Sequence, residues 1–505
     1  MKKAKGEEGS ISMDMISDLP KDILQRILSL LSQKDAVRTS ALSKSWRYVW
    51  CTRPNLDFSD DTFVGSVKEF QTAVDNALQR YRDQSLCLEE FRLSIWLDGY
   101  LSRESVSLLD KWIPLFRNMG VKDFRLSVIS GRQVEYVTTL PGVVLEAESL
   151  KYLYVRRFGL SPGNTILFKR IKRIHLDECR IDGDMLDKII SSCPLIESMH
   201  LERCRGLADV KVNGLRNLKD FYYEEFEEKR HHPSIEIDYP SSLETVNIIY
   251  GDMVWFRNAD FCMLDRLYLH GVSSSFELFS TCEFPILKSL FIISCSGLEE
   301  SSNLYINAPN ILYFEYNSDR WSTLSISFAT TSNEWDSHVT LPYWPSSSDK
   351  LVSISQLLNS LSQSKIFLTI SRCALELPCL SDVPYNGCNK PVAVEGLKLK
   401  FEVYSFSFRV RSIFQSCRPR KIYVYFVCKW DLVYLWESAL MQGESGNQDQ
   451  LREQWHRDLE EVRVEIYDDR NNGWHPITLS SGSEFPECRE WENISPRFSL
   501  KWREA

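Results

Sequence analysis

The chain has 505 residues, 43% of them hydrophobic and 26% charged, with a net charge of −9. That is a globular composition, and its mildly acidic balance argues against a nucleic-acid surface, whose footprint is a basic stripe. No apolar run approaches the ~20 residues a bilayer crossing needs. The opening Met1-Lys2-Lys3-Ala4-Lys5-Gly6 is also no charged-then-apolar leader. The chain is therefore expected in the nucleus and/or cytoplasm, with no membrane or nucleic-acid partner and with its fourteen cysteines reduced.

Residues 1–13 are polar and read as a disordered tail. Pro20 suits the first turn of a helix, where its missing N–H costs nothing. Ile23, Ile27 and Leu31 then recur every four residues, widened by Leu24 and Leu28 into one apolar face. Ala36, Val37, Ser40 and Ala41 predict a second short helix. Ser43 can cap a third that carries Trp46, Val49 and Trp50 and ends before Pro54. Three helices in so few residues carry more apolar surface than they can hide in one another, and no metal or disulfide pattern offsets the deficit. A permanent partner is the physical expectation.

The string Leu19-Pro20-x-x-Ile23-Leu24-x-x-Ile27-Leu28-x-x-Leu31, followed by Asp35-Ala36-Val37-Arg38-Thr39-Ser40-x-Leu42-Ser43-Lys44-x-Trp46-Arg47-x-x-Trp50, resembles a plant-type F-box over residues 14–58. The resemblance implies docking on the Skp-type adaptor of a cullin–RING ubiquitin ligase. The implied adaptor contacts are Leu19, Pro20, Ile23, Leu24, Ile27, Leu28, Leu31, Val37, Leu42, Trp46 and Trp50, some of which must instead form the core of the unit.

Residues 59–120 read as a linker with irregular repeats, including LEEFRLSIW from Leu88. Over 121–320 a nine-residue phrase recurs, apolar at its first, fourth and sixth places. Its copies begin at Val121, Leu150, Ile171, Ile196, Leu218, Leu243, Leu264, Leu287 and Ile311. From Leu150 onward the spacing is 21–25 residues, inside the period of leucine-rich repeats. The expected fold is α/β: the three-helix F-box, then a leucine-rich-repeat solenoid with a curved parallel sheet on its concave face. Alternation along each strand turns the fourth and sixth places inward, so the third, fifth and seventh face out. That column holds the candidate target-binding residues Tyr154, His175, His200, Tyr222, Tyr268 and Phe291, with Asp177, Glu202 and Glu224 beside them. Cys179, Cys204 and Cys295 occupy ninth places and read as buried turn residues.

Residues 321–505 read as irregular C-terminal repeats. Residues 318–350 read as an insertion or irregular repeat and 441–450 as an exposed polar loop, with strand rhythm from Val394 and Leu459; the last stretch resembles the FBD module of plant relatives only loosely. The stretch from Ser192 to Glu197 resembles the inter-repeat link of plant F-box/leucine-rich-repeat proteins. No phosphate loop, HExxH or nucleophile elbow occurs, and His231-His232 reads as part of a solvated charged loop. No catalytic residue, metal ligand or cofactor is predicted. The expected role is a substrate-recognition subunit of an SCF-type ligase, contacting cullin and RING protein through the adaptor and an unidentified target through the repeats. The alternative is a non-degradative repeat scaffold that uses the F-box for adaptor docking alone.

Overall fold

A computed structural model of the chain describes residues 16, 19–31, 33–58, 67–96, 108–129, 138–161, 163, 165–226, 232–237, 242–298, 303–318, 325–342, 348–371, 390–400, 413–414, 416–424, 457–468, 473–477 and 497–503. The expected tail at 1–13 and the polar loop at 441–450 lie outside them. The chain divides into two units, Met1–Ala208 and Asp209–Ala505. No helix among the described residues is long and apolar enough to cross a membrane.

The first unit opens with α1 (Lys21–Ser29), α2 (Gln33–Thr39) and α3 (Lys44–Cys51). Pro20 stands immediately before α1, and the Ser43 hydroxyl caps α3 by accepting from the Trp46 backbone N–H at 3.2 Å. Next come β1 (Asn55–Phe58), α4 (Val67–Asp83), β2 (Glu90–Trp96), β3 (Asp123–Ile129), β4 (Tyr152–Arg156), β5 (Arg173–Asp177), α5 (Gly183–Ser192) and β6 (Ser198–Glu202). The six strands pair in parallel, each with the next in chain order. Asp182 caps α5, and Met185, Leu186, Ile189 and Ile190 turn its apolar stripe inward.

In the second unit β7 (Asp220–Glu224), β8 (Thr245–Ile249), β9 (Arg266–His270), β10 (Ser289–Ile293) and β11 (Tyr313–Asn317) continue the same parallel order. They are followed by β12 (Asp336–Leu341), α6 (Ser348–Ser360), β13 (Lys365–Ile370), β14 (Val392–Leu399) and β15 (Cys417–Val424). Residues 325–341 carry strands, as an irregular repeat would. Ser325–Ala329 pairs on a second, smaller sheet and β12 joins the main one. The pattern changes only at the end, where β16 (Leu459–Asp468), β17 (Gly473–Ile477) and β18 (Arg497–Trp502) are antiparallel, with β18 between β15 and β16. The strand expected from Leu459 exists, with antiparallel pairing.

Every strand from β4 to β11 covers places three to seven of its phrase. First-place residues such as Leu150, Ile171, Ile196 and Leu218 are buried, as are the fourth and sixth, for example Leu153 and Val155, Ile174 and Leu176, Leu267 and Leu269. Each such aliphatic contributes about 1.5–3 kcal/mol by leaving water. The turn after the strand has a recurrent backbone. The eighth residue is left-handed in six repeats, at Arg157 (φ 63°), Glu178 (51°), Arg203 (50°), Tyr250 (55°), Gly271 (65°) and Ser294 (50°). In five of these the N–H still donates to the next strand's last carbonyl: Arg157 to Asp177, Glu178 to Glu202, Tyr250 to His270, Gly271 to Ile293 and Ser294 to Asn317, at 2.7–2.9 Å. The bend sends the ninth side chain inward. Cys179 and Cys204 are buried there, the Cys179 thiol 3.2 Å from the Val155 carbonyl oxygen. Burial pushes the thiols of Cys179 and Cys295 up to about 12, so they stay protonated packing groups.

Candidate functional site

Within the three-helix unit the core is Leu24, Leu28, Ala36, Trp46 and Val49, with Leu19, Ile27 and Trp50 packed partly against it. Leu24, Leu28 and Trp46 therefore do not belong among direct adaptor contacts. Their side chains are spent on the unit's own interior, Trp46 being only 3% exposed. Pro20, Ile23, Leu31, Val37 and Leu42 face out, Leu42 at 66% exposure. Leu30, 81% exposed, and Tyr48 add apolar surface that the sequence pattern did not single out. These apolar side chains on all three helices and the links between them are left available to a binding partner.

Trp50 is held by its neighbours. The Arg53 guanidinium lies 3.3 Å from its ring centroid, a cation–π contact. Arg53 is itself buried, donating from Nε to the Asn55 carbonyl at 2.6 Å and from Nη1 to the Trp50 carbonyl at 3.3 Å. Burial pushes its guanidinium down to about 10, which still leaves it charged at neutral pH. The Tyr81 hydroxyl of α4 donates to the Arg53 carbonyl oxygen. Trp50 thus belongs to a joint between α3 and α4.

On the open face of β4–β6, parallel register sets Tyr154, His175 and His200 side by side. Tyr154 meets His175 edge-on at 4.8 Å between centroids, and His175 and His200 are 5.2 Å apart. Glu202, two residues beyond His200 on the same face, has Oε1 2.8 Å from His175 Nε2. The imidazole of His175 beside it holds the Glu202 carboxyl below the usual carboxylate range. Asp177 is a correction to the expected surface set. It is buried, and its carboxylate is held by Arg156 Nε at 3.2 Å and Arg203 Nη2 at 2.9 Å, with the Tyr154 hydroxyl 3.4 Å away. Burial raises its pKa against the pull of both arginines. Asp177 orders the face from below rather than presenting itself on it.

Glu178, next in the chain, behaves oppositely. Burial works to raise its carboxyl, but Arg157 at 2.6 Å and Arg156 at 2.7 Å overcome it and hold the group below the usual carboxylate range. A depressed folded-state pKa contributes stability that is present above the unfolded value, about 4.3, and lost as pH falls through the folded one. Glu178→Gln is therefore expected to lower the melting temperature at pH 7. The gap to the parent protein should narrow steadily below pH 4.3; thermal melts of both proteins across pH 3–7 check the sign.

In the second unit Tyr222 donates to Glu224 at 2.6 Å, so both are tied to each other on the sheet face. Tyr268 and Phe291 begin a longer aromatic ladder, with centroids 5.5 Å apart and Arg266 4.9 Å from the Phe291 ring. It continues from Phe291 to Tyr313 at 5.2 Å, from Tyr313 to His338 at 4.9 Å and from His338 to Phe367 at 4.7 Å, the last two pairs stacked. Tyr313 bridges the break that Glu315 makes in the fifth-place column, donating to Glu315 at 2.8 Å. Burial and the nearby Lys398 lower the His338 pKa, so that ring is neutral at pH 7. Tyr313, His338 and Phe367 were not among the expected surface residues. The signal available was the alternation of Asp336–Leu341, obscured by the Ser- and Trp-rich stretch around it.

Comparison with known proteins places two domains on this geometry. Residues 16–58 match the F-box domain model, and residues 84–254 match the model described as At1g61320/AtMIF1, LRR domain. The chain is 31% identical to the putative F-box/LRR-repeat protein At3g18150 of Arabidopsis thaliana over 39% of either chain. It is 30% identical to the Arabidopsis F-box/LRR-repeat protein At4g14103 over 47% of this chain and 61% of that one. The Arabidopsis F-box/FBD/LRR-repeat protein At1g78750 is also 30% identical, over 39% of this chain and 43% of the relative. The aligned regions span less than two thirds of each of these relatives.

Proposed function

With an F-box at residues 16–58 and a leucine-rich-repeat domain behind it, we propose that this chain is the substrate-recognition subunit of an SCF-type cullin–RING ubiquitin ligase. The observation that carries the reading is the division of labour inside the three-helix unit. Leu24, Leu28 and Trp46 make a small core, while Ile23, Leu30, Leu31, Val37, Leu42 and Tyr48 remain exposed. A Skp-type adaptor covering that face supplies the burial the unit lacks, and links the chain to cullin and RING protein. The repeats hold the target through the aromatic and histidine faces of β4–β6 and β9–β13. The chain itself is non-catalytic: it raises the concentration of a target lysine near a ubiquitin-loaded enzyme, in the nucleus and/or cytoplasm.

The test is co-purification of the full chain with a Skp-type adaptor. Leu42→Asp and Val37→Asp place charges on exposed positions, so they are expected to leave helix content unchanged and weaken adaptor binding at least tenfold, about 1.4 kcal/mol. An intact chain that fails to bind, or variants that bind like the parent, would sink the proposal. Proteins captured by the repeats should accumulate when the chain is removed. Unchanged abundance of a verified binding partner favours the non-degradative scaffold instead.

A further inference from the structure

We propose that His175, His200 and Glu202 form a binding site for a divalent transition metal of the zinc type, with two imidazole nitrogens and one carboxylate oxygen as ligands. The inference does not depend on adaptor binding. The three donors come from neighbouring strands in fixed register: His175 stands opposite His200, and Asp177 opposite Glu202. One ligand atom from each lies within 4.8 Å of the other two. Coordination at the 2.0–2.2 Å bond lengths of zinc brings such donors to roughly 3.3–3.5 Å from one another, a contraction that side-chain rotation on fixed strands can supply.

A second observation is the contact between two of the donors. His175 Nε2, shielded from solvent, lies 2.8 Å from Glu202 Oε1, so one imidazole nitrogen and one carboxylate oxygen already converge on the same point, as two ligands of one ion must.

The surrounding charges permit a cation. Arg203 Nη2 is 3.6 Å from Glu202 Oε2 but closer to Asp177, at 2.9 Å, and Arg156 and Arg157 are paired with Asp177 and Glu178. The three guanidiniums make their closest contacts to Asp177 and Glu178, which leaves the Glu202 carboxylate closest to His175. Mixed nitrogen and oxygen donors favour zinc, copper or nickel over magnesium and calcium, which take oxygen. Three protein ligands leave a fourth position for water or a donor from a bound molecule.

The experiment uses the full chain, stripped with chelator and titrated with zinc chloride by calorimetry, and separately with cobalt(II) by visible spectroscopy. Saturable binding at one ion per chain and a cobalt d–d band are expected. Loss of a mere outer-shell partner costs 10–100-fold in metal affinity, so His200→Ala and Glu202→Gln should each weaken binding by about 100-fold or more. His475→Ala, at an exposed position in β17, should bind like the parent. Melting of each metal-free variant verifies folding, and His200→Asn replaces His200→Ala if the latter melts early. Absence of saturable zinc binding, or folded His200 and Glu202 variants that bind like the parent, overturns the proposal.

Discussion

Trp46→Ala is expected to abolish capture of the Skp-type adaptor while leaving the leucine-rich repeats folded. Trp46 is almost fully buried and packs with Leu24, Leu28, Ala36 and Val49, the core of the three helices among the described residues. Removing a buried tryptophan costs about 3–5 kcal/mol, from lost burial and the cavity left behind. A unit this small holds little stability in reserve, so a loss of that size melts it. The effect on the adaptor is indirect, because the exposed side chains of α1–α3 lose their common frame. That mechanism separates Trp46→Ala from Leu42→Asp. Both should bind the adaptor more weakly, but only Trp46→Ala should become sensitive to proteolysis within residues 19–51 while the repeats still melt at the parent temperature. Adaptor binding by Trp46→Ala at parental strength would refute the core assignment.

The two tryptophans show how far one sequence reaches. Their spacing placed them on one helix, and Ser43 marked its start, both of which hold. Periodicity could not say which indole faces inward, because that depends on Leu24 and Leu28 arriving from α1 and on Arg53 arriving from beyond the helix. The repeat strands were legible to the residue, since apolar residues at places one, four and six specify a buried face whatever the connections do. The left-handed eighth position was not legible: Arg157, Glu178, Arg203, Tyr250 and Ser294 carry no glycine to announce it. Nor was the His175, His200 and Glu202 cluster visible as one, for His175 and His200 are 25 residues apart and meet only through parallel register. Asp177 failed as a surface residue for the same kind of reason. Its seventh place does point outward, but Arg156 and Arg203 from adjacent repeats close over it.

Gly297→Ala makes the complementary cut, disabling the repeats of the second unit while the F-box keeps its adaptor. Gly297 is buried in a tight turn, Ser296–Leu298, with its N–H 3.3 Å from the Val272 carbonyl oxygen. A methyl group there would overlap the backbone carbonyl of Ser274 and lie 2.9 Å from the Ser273 oxygen. That backbone cannot recede. Asp252 Oδ1 accepts from the N–H groups of Ser273 and Ser274 at 2.9 and 3.0 Å, and the Ser274 hydroxyl donates to the Met253 carbonyl. The clash must instead displace Leu298 from the core, which puts the cost at about 4 kcal/mol or more. Stacked repeats draw stability from their neighbours, so the defect spreads to the strands on either side. Calorimetry of the full chain should show the transition of the second unit lowered or lost, with target capture lost and adaptor binding at parental strength. Gly183→Ala is the control: its added methyl meets nothing within 4 Å at the start of α5, so both transitions should stay in place. A Gly297→Ala protein that melts like the parent would mean that the turn has room the packing denies it. Target loss without adaptor loss, set beside the reverse outcome for Trp46→Ala, would establish that the two ends of the chain bind independently, as a receptor that joins a ligase to its substrate requires.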